Sequence, residues 1–125
     1  MNDTKVCPTC QEEKPLTEYY NRGKSRNYEP QAHCKICFNA YCVQRWIRYK
    51  KEAVEYKGGK CVDCNIIYPY PVYDFHHTDP SEKDVDWGKL RMKSRAKRQQ
   101  ELDKCVLLCS NCHRLRHHNE KWYTR

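Results

Sequence analysis

Large hydrocarbon side chains are scarce in this 125-residue chain. Leu, Ile, Val and Phe together number 19, and Phe contributes only 2 of them. Globular chains usually carry more than roughly a fifth of such residues, and a smaller share combined with high net charge is typical of disordered chains. The composition therefore excludes a large hydrophobic core. The length allows one domain or two small modules.

Long apolar runs are also lacking. No segment approaches the ~18 consecutive apolar residues of a membrane span, and residues 1–10 lack the apolar core of a secretory signal. We therefore predict a soluble cytoplasmic protein without a membrane partner. Because that compartment is reducing, its cysteines are expected to bind metal rather than to form disulfides.

Cysteine, by contrast, is abundant, with 10 residues. Eight of them form four Cys-x-x-Cys pairs: Cys7 and Cys10, Cys34 and Cys37, Cys61 and Cys64, Cys109 and Cys112. Two residues between thiolates form a tight turn that presents both sulfurs to one tetrahedral zinc, and two such turns complete the coordination shell. The sequence therefore predicts two structural zinc sites, and metal ligation would replace burial as the source of stability.

The pairing of these motifs leaves alternatives open. Pairing in sequence order closes each zinc within its own module, whereas interleaved pairing would join the modules. His33, beside Cys34, could replace one sulfur of the first site. A redox role would need a thioredoxin-like strand and helix around the motif, and the four Cys-x-x-Cys motifs lack that context. Cys42 and Cys105 lie in apolar patterns and are predicted to be buried thiols.

The charge balance favours a polyanionic partner. Lys and Arg number 24 against 16 Asp and Glu, a net charge of +8. Nucleic acid fits this surplus, although surplus charge also serves solubility and a basic helix can be a solvated face. The candidate nucleic-acid contacts are Arg45, Arg48, Lys89, Arg91, Lys93, Arg95, Lys97, Arg98, Arg114 and Arg116.

Periodicity divides the chain into three parts. Residues 1–37 form an N-terminal zinc finger with little regular structure, and 38–59 form an amphipathic basic linker helix that ends at two glycines. Residues 60–125 form the second zinc module. There the pattern predicts a strand from about Val72, a helix over 87–101, a strand over 105–108 and a final helix that begins at Asn111 or Cys112. Trp122 and Tyr123 are expected to pack onto that final helix.

Five of the six histidines occupy two places in the last part. His76 and His77 end the predicted strand, whereas His113, His117 and His118 follow the last cysteine pair. His113 and His117 are four residues apart and share a helix face, the spacing at which two imidazoles bind one metal. Such histidines can also be spare or solvated. Because the zinc sites already have enough cysteines, we favour a third metal with open positions and a hydrolytic site.

The combination of these motifs resembles the HNH endonuclease family in its zinc-knuckle form. The resemblance covers residues 60–118 and is carried by Cys-Val-Asp-Cys at 61–64, Asp-Phe-His-His-Thr-Asp-Pro at 74–80 and Cys-Ser-Asn-Cys-His-Arg-Leu-Arg-His at 109–117. The first cysteine module is similar to the N-terminal zinc finger of phage proteins related to recombination endonuclease VII. These likenesses suggest a phage or prophage origin.

The resemblance implies a small α+β protein with a ββα-metal fold that holds one catalytic divalent cation, Mg, Mn or Ni. It implies that His77 is the general base, that His76 and His113 are metal ligands, and that His117 joins the metal or contacts phosphate. The family's central Asn falls at Lys104, so Asp103 or a backbone carbonyl would have to orient His77. The implied activity is hydrolysis of DNA phosphodiester bonds.

Two other functions remain open. A noncatalytic zinc protein that binds DNA or RNA would keep the scaffold without the chemistry, and Lys104 in the Asn position is its best support. A protein-interaction module would show little affinity for nucleic acid and little salt dependence, contrary to the charge. The sequence leaves open whether the protein is a monomer or a dimer.

Overall fold

The computed structural model describes residues 3–120 and divides the chain into two compact units, Met1–Arg45 and Trp46–Arg125. The division falls inside the predicted linker helix. Trp122 and Tyr123, predicted to pack onto the final helix, lie outside the described residues. Within residues 3–120, no helix has both the length and the apolar character needed to cross a membrane.

The first unit is built on a short hairpin. Strand β1 (Thr4–Val6) pairs antiparallel with β2 (Glu13–Pro15), and Lys5 lies opposite Lys14. The prediction of little regular structure is therefore wrong for this segment. The first Cys-x-x-Cys turn joins the strands, so the expected metal knuckle is also the hairpin connection.

Helix α1 (Lys35–Tyr56) begins three residues before the predicted start. It ends as predicted, because Gly58 and Gly59 adopt positive φ values of 104° and 73° that other residues rarely adopt. The helix is buried only near its C-terminal end, at Ala53 and Val54, while Tyr41 is 61% exposed.

The second unit contains two antiparallel strands, two short helices between them and a final helix. Strand β3 (Tyr73–His77) is followed by two short helices, α2 (Trp87–Leu90) and α3 (Arg95–Leu102). Strand β4 (Cys105–Cys109) pairs with β3 in the register Tyr73 to Cys109 and His77 to Cys105. Helix α4 (Ser110–Glu120) follows β4 at once, and the Ser110 hydroxyl donates to the Val72 carbonyl at 2.8 Å. The coarse α+β prediction is therefore confirmed.

The prediction of a single helix over 87–101 is wrong, because the chain leaves the helical path between α2 and α3. Ser94 is extended, with φ −62° and ψ 160°, and its hydroxyl accepts a hydrogen bond from the Lys97 amide. A serine in this conformation begins a new helix rather than continuing the old one.

The hydrophobic core of the second unit is small and includes sulfur. Val54, Tyr73, Leu107 and Leu108 are buried with Cys61 and Cys109. A second group, Ala53, Leu90 and Leu102, joins α1, α2 and α3. Cys105 is buried as predicted, and burial raises the pKa of its thiol to about 11, whereas Cys42 is half-buried.

Candidate functional site

The first group of four cysteines lies in the first unit. The sulfurs of Cys7, Cys10, Cys34 and Cys37 all lie within 4.8 Å of one another. Burial raises the pKa of Cys7, but backbone hydrogen bonds from Cys10 and Cys34 outweigh it and bring this pKa to about 5. The Lys14 ammonium donates to the Cys34 sulfur at 3.3 Å. This arrangement favours thiolates, the form in which cysteine binds zinc.

The second group combines the knuckle after α1 with the end of β4 and the start of α4. The sulfurs of Cys61, Cys64, Cys109 and Cys112 lie within 4.8 Å of one another. Burial raises the pKa of Cys61, but amide hydrogen bonds, foremost that from Cys109, bring it to about 6. Both groups form from pairs in sequence order, so the prediction of two four-cysteine sites compatible with structural zinc is confirmed.

His33 does not belong to the first group. Its Nδ1 lies 2.9 Å from the Thr9 hydroxyl, and its side chain is exposed. The alternative in which His33 replaces a sulfur is therefore not met.

A third group consists of His76 on β3 with His113 and His117 on α4. One ring nitrogen from each lies within 4.8 Å of the other two, and the Nε2 atoms of His113 and His117 are 3.0 Å apart. Two nitrogens that bind one ion at about 2.1 Å and at a right angle would also be about 3.0 Å apart. The ring centroid of His76 is 5.2 Å from each of the others. The three imidazoles therefore fit a divalent cation that keeps open positions.

The Asp74 carboxylate orients one of these imidazoles. Its Oδ2 lies 3.0 Å from His113 Nδ1, which leaves Nε2 to face His117. A carboxylate on the far nitrogen is the usual partner of a metal-binding histidine, because it fixes the ring and increases its basicity. Nearby, Lys50 Nζ donates to the Tyr73 carbonyl at 2.8 Å. Burial lowers the pKa of Lys50, and the charge of Asp74 opposes that shift.

His77, the second member of the doublet, has a different partner. Its Nε2 lies 2.7 Å from Oε1 of Glu101, and the two side chains are 11% and 5% exposed. Glu101 also accepts from the Asp84 amide and from the Lys104 ammonium, each at 3.0 Å. Burial raises the pKa of Glu101, but these hydrogen bonds, foremost that of His77, bring it to about 2. Glu101 is therefore an ionised carboxylate.

All four histidines line one open cleft, which we call the histidine cleft. It has a volume of about 370 Å³ and is lined by Phe75, His76, His77, Pro80, Lys83, His113 and His117. His118, the remaining histidine of α4, is exposed and does not line it. The site residues predicted from the two histidine segments thus come together in space.

Several of the predicted nucleic-acid contacts are engaged within the protein. Arg98 is buried, stacks 3.9 Å from the Tyr49 ring and donates to the Lys93 carbonyl, so the expectation that it faces nucleic acid is not met. Arg91 lies 3.8 Å from the Trp46 ring. Arg116 makes two hydrogen bonds with the Asp63 carboxylate, at 2.8 and 2.7 Å.

The other predicted contacts are at least partly accessible. Arg45 is half-buried, and the exposed ones are Arg48, Lys89, Lys93, Arg95, Lys97 and Arg114. Lys83, which sequence reasoning missed, lines the histidine cleft and forms an ion pair with Asp86. This set gives the second unit exposed cations on three separate segments.

Sequence reasoning also missed the two carboxylates of the site. Asp74 carried a signal, because it lies two residues before His76 and hence on the same side of a strand. Glu101 carried none, since it is 24 residues from its partner. Asp103, the proposed partner of His77, instead accepts from the Tyr56 hydroxyl at 2.6 Å, which corrects that expectation.

Comparison of the chain with protein-family models, with curated proteins and with solved structures finds no match.

Proposed function

We propose that this protein is a metal-dependent DNA endonuclease that hydrolyses phosphodiester bonds. The observation that carries the proposal is the histidine cleft, where three imidazoles converge and a fourth, His77, has a carboxylate partner. The resemblance of residues 60–118 to the HNH family supports the same function, and a phage or prophage origin belongs to this proposal.

In the proposed reaction, each residue has a separate task. Neutral His77 takes a proton from a water molecule, and the oxygen attacks phosphorus in line with the leaving 3′ oxygen. When bound, a divalent cation would offset the negative charge that grows on the phosphate oxygens. His76, His113 and His117 would hold it, and Asp74 would keep His113 oriented. The products would carry a 5′ phosphate and a 3′ hydroxyl.

Exposed cations would bind the DNA through its phosphates. Lys83 lines the histidine cleft, and Arg114 lies on the same helix as His113. Such contacts give affinity without reading the base sequence. Arg91, Arg98 and Arg116 are left out of this role because they have partners within the protein.

A noncatalytic nucleic-acid-binding protein is the second candidate. The observation in its favour is Lys104, which stands where the family has Asn and donates to Glu101 and Asp84 rather than bracing a loop through an amide. This candidate predicts salt-dependent binding of DNA, two tightly held zincs and no cleavage.

A plasmid assay separates the two candidates. Supercoiled DNA is incubated with the zinc-loaded protein and Mg, Mn, Ni or EDTA, and wild type is compared with His77→Ala and with the control His118→Ala. We expect wild type and the control to cut with a divalent metal. His77→Ala should bind DNA equally and cut about 100-fold or more slowly, because a positioned base typically contributes at least that factor.

The contrary result is equally clear. If wild type binds DNA but cuts with none of the metals, the nuclease proposal fails for duplex DNA and the binding protein is the better account. Nicked and linear products, separated on the same gel, show whether one or both strands are cut.

A further inference from the structure

The pair His77 and Glu101 links two elements far apart in the sequence. His77 is the last residue of β3, and Glu101 lies in the last turn of α3. Their atoms Nε2 and Oε1 are 2.7 Å apart, and both side chains are largely shielded from water. A short contact between a largely buried imidazole and a buried carboxylate is a charge-assisted hydrogen bond.

The surroundings of Glu101 fix the direction of that bond. Its Oε1 also accepts from the Asp84 amide, and its Oε2 accepts from the Lys104 ammonium. With both oxygens accepting from other donors, the carboxylate is ionised and can only accept from His77. In neutral His77 the proton is therefore on Nε2 and the lone pair is on Nδ1.

The same segment also holds the chain beyond His77. The Lys104 carbonyl accepts from the Thr78 amide at 3.2 Å, and its ammonium donates to the Glu82 carbonyl and to the Asp84 carboxylate. Lys104 thus joins the residue after His77 to the loop before α2. Lys104 therefore holds the backbone that follows His77, whereas Glu101 holds the imidazole ring.

We propose that Glu101 is the positioning residue of the histidine cleft. Its carboxylate fixes the Nε2–H tautomer of His77 and thereby makes Nδ1 the proton acceptor. The inference rests on the proposed function insofar as it concerns cleavage. In the reaction, a proton passes from water to Nδ1, and the resulting imidazolium is stabilised by the negative charge of Glu101. Glu101 itself keeps its charge throughout.

The test uses the full chain loaded with zinc and labelled with ¹⁵N in histidine. NMR at pH 8 reports which ring nitrogen of His77 carries the proton, with His77→Ala used to assign the signals. We expect the Nε2–H tautomer in wild type. In Glu101→Leu, which has no acceptor, this preference should be lost and plasmid cleavage should fall about 100-fold, with DNA binding and zinc content unchanged.

Two further variants separate positioning from folding. Glu101→Gln keeps hydrogen-bonding capacity but removes the charge, so its cleavage rate should lie between wild type and Glu101→Leu. Asp103→Asn changes an exposed carboxylate two residues further along, which accepts from Tyr56 rather than from His77, so it should retain the tautomer and a rate within about threefold of wild type, as surface substitutions usually do.

Three results would overturn the proposal. They are an Nδ1–H tautomer in wild type, a wild-type rate in Glu101→Leu, and an equal loss of rate in Glu101→Leu and Asp103→Asn with an unchanged tautomer. Failure of the proposed function looks different, because wild type itself would then not cut. The tautomer of His77 would still decide whether Glu101 sets its protonation.

Discussion

Two carboxylates each hold one imidazole of the histidine cleft. Asp74 contacts His113 at Nδ1, and Glu101 contacts His77 at Nε2. In the proposed reaction, the first contact leaves Nε2 of His113 for a metal, whereas the second leaves Nδ1 of His77 for a proton. Which nitrogen stays available therefore depends on the carboxylate behind each ring.

At the residue scale, we predict that Asp74→Asn weakens binding of a divalent cation at His76, His113 and His117 by about 10-fold to 100-fold. An amide no longer increases the basicity of His113, and partners of this kind typically contribute that factor to affinity. Calorimetric titration of the zinc-loaded protein with Mn²⁺ or Ni²⁺ measures it.

The matched control is Asp79→Asn, which makes the same chemical change at a carboxylate that instead accepts from Ser81. It should bind the cation as wild type does. Equal affinity in all three proteins would show that Asp74 does not support the site.

The three clustered histidines could be predicted from the sequence, whereas their carboxylate partners could not. The four-residue spacing places His113 and His117 on one helix face by local geometry, and the family resemblance implied His76 as their partner. Glu101 and Asp103 are two residues apart at the end of α3, so they point to different sides of the helix. Choosing between them requires the position of α3 beside β3, which no local pattern contains.

The number of charged residues likewise could not distinguish buried from exposed arginines. Arg98 lies in the densest basic segment of the chain, yet it stacks on Tyr49 because a planar guanidinium covers an aromatic ring well. The sequence shows the charge surplus of that segment, and only the packing shows which cations remain for a ligand.

At the element scale, the beginning of α3 is the feature that the predicted 87–101 helix missed. Serine is a preferred N-cap residue, but the helix-favouring residues on both sides of Ser94 led to the prediction of one continuous helix. The two short helices place Leu90 and Leu102 in one apolar group, which a straight helix over the same residues would separate.

We predict that Ser94→Ala lowers the free energy of unfolding by about 1 kcal/mol, the usual cost of losing a side-chain cap. Chemical denaturation of the zinc-loaded protein measures the change. Ser94→Asp keeps an oxygen that accepts from the Lys97 amide, so it should remain close to wild type. If both variants unfold alike, the cap does not contribute.

At the scale of the whole molecule, cysteines of the two candidate zinc sites make up much of the small core. The buried group of the first unit is Cys7, Tyr19 and Cys34, so two of its three members are candidate zinc ligands. Composition and cysteine spacing alone predicted the two groups of four cysteines. The β1–β2 hairpin was not predicted, because its strands have three residues each and little apolar alternation.

We predict that acid releases both zincs and unfolds both units. The pKa values of Cys7 and Cys61, about 5 and about 6, lie below the ordinary 9.0, so the folded state favours the thiolates. Their contribution to stability is complete above pH 9 and is lost as the pH falls through these values. Zinc release to a chromogenic chelator and circular dichroism between pH 9 and 4 follow both processes.

Cysteine variants supply the controls for this experiment. Cys10→Ser and Cys64→Ser should each lower the zinc content by one equivalent at pH 7.5, whereas Cys42→Ser, outside both groups, should retain two. Full zinc content in either of the first two variants would contradict the four-cysteine assignment.

Because His76 and His77 are adjacent, the β3–β4 register decides which surroundings each imidazole meets. His76 lies opposite Val106 and His77 opposite Cys105, and successive strand residues point to opposite faces. A slip of one residue would leave a histidine in only one of the two places, because Phe75 or Thr78 would occupy the other. The partner that each imidazole meets therefore depends on the alignment of β3 with β4. A single inserted or deleted residue in β3 would change that partner.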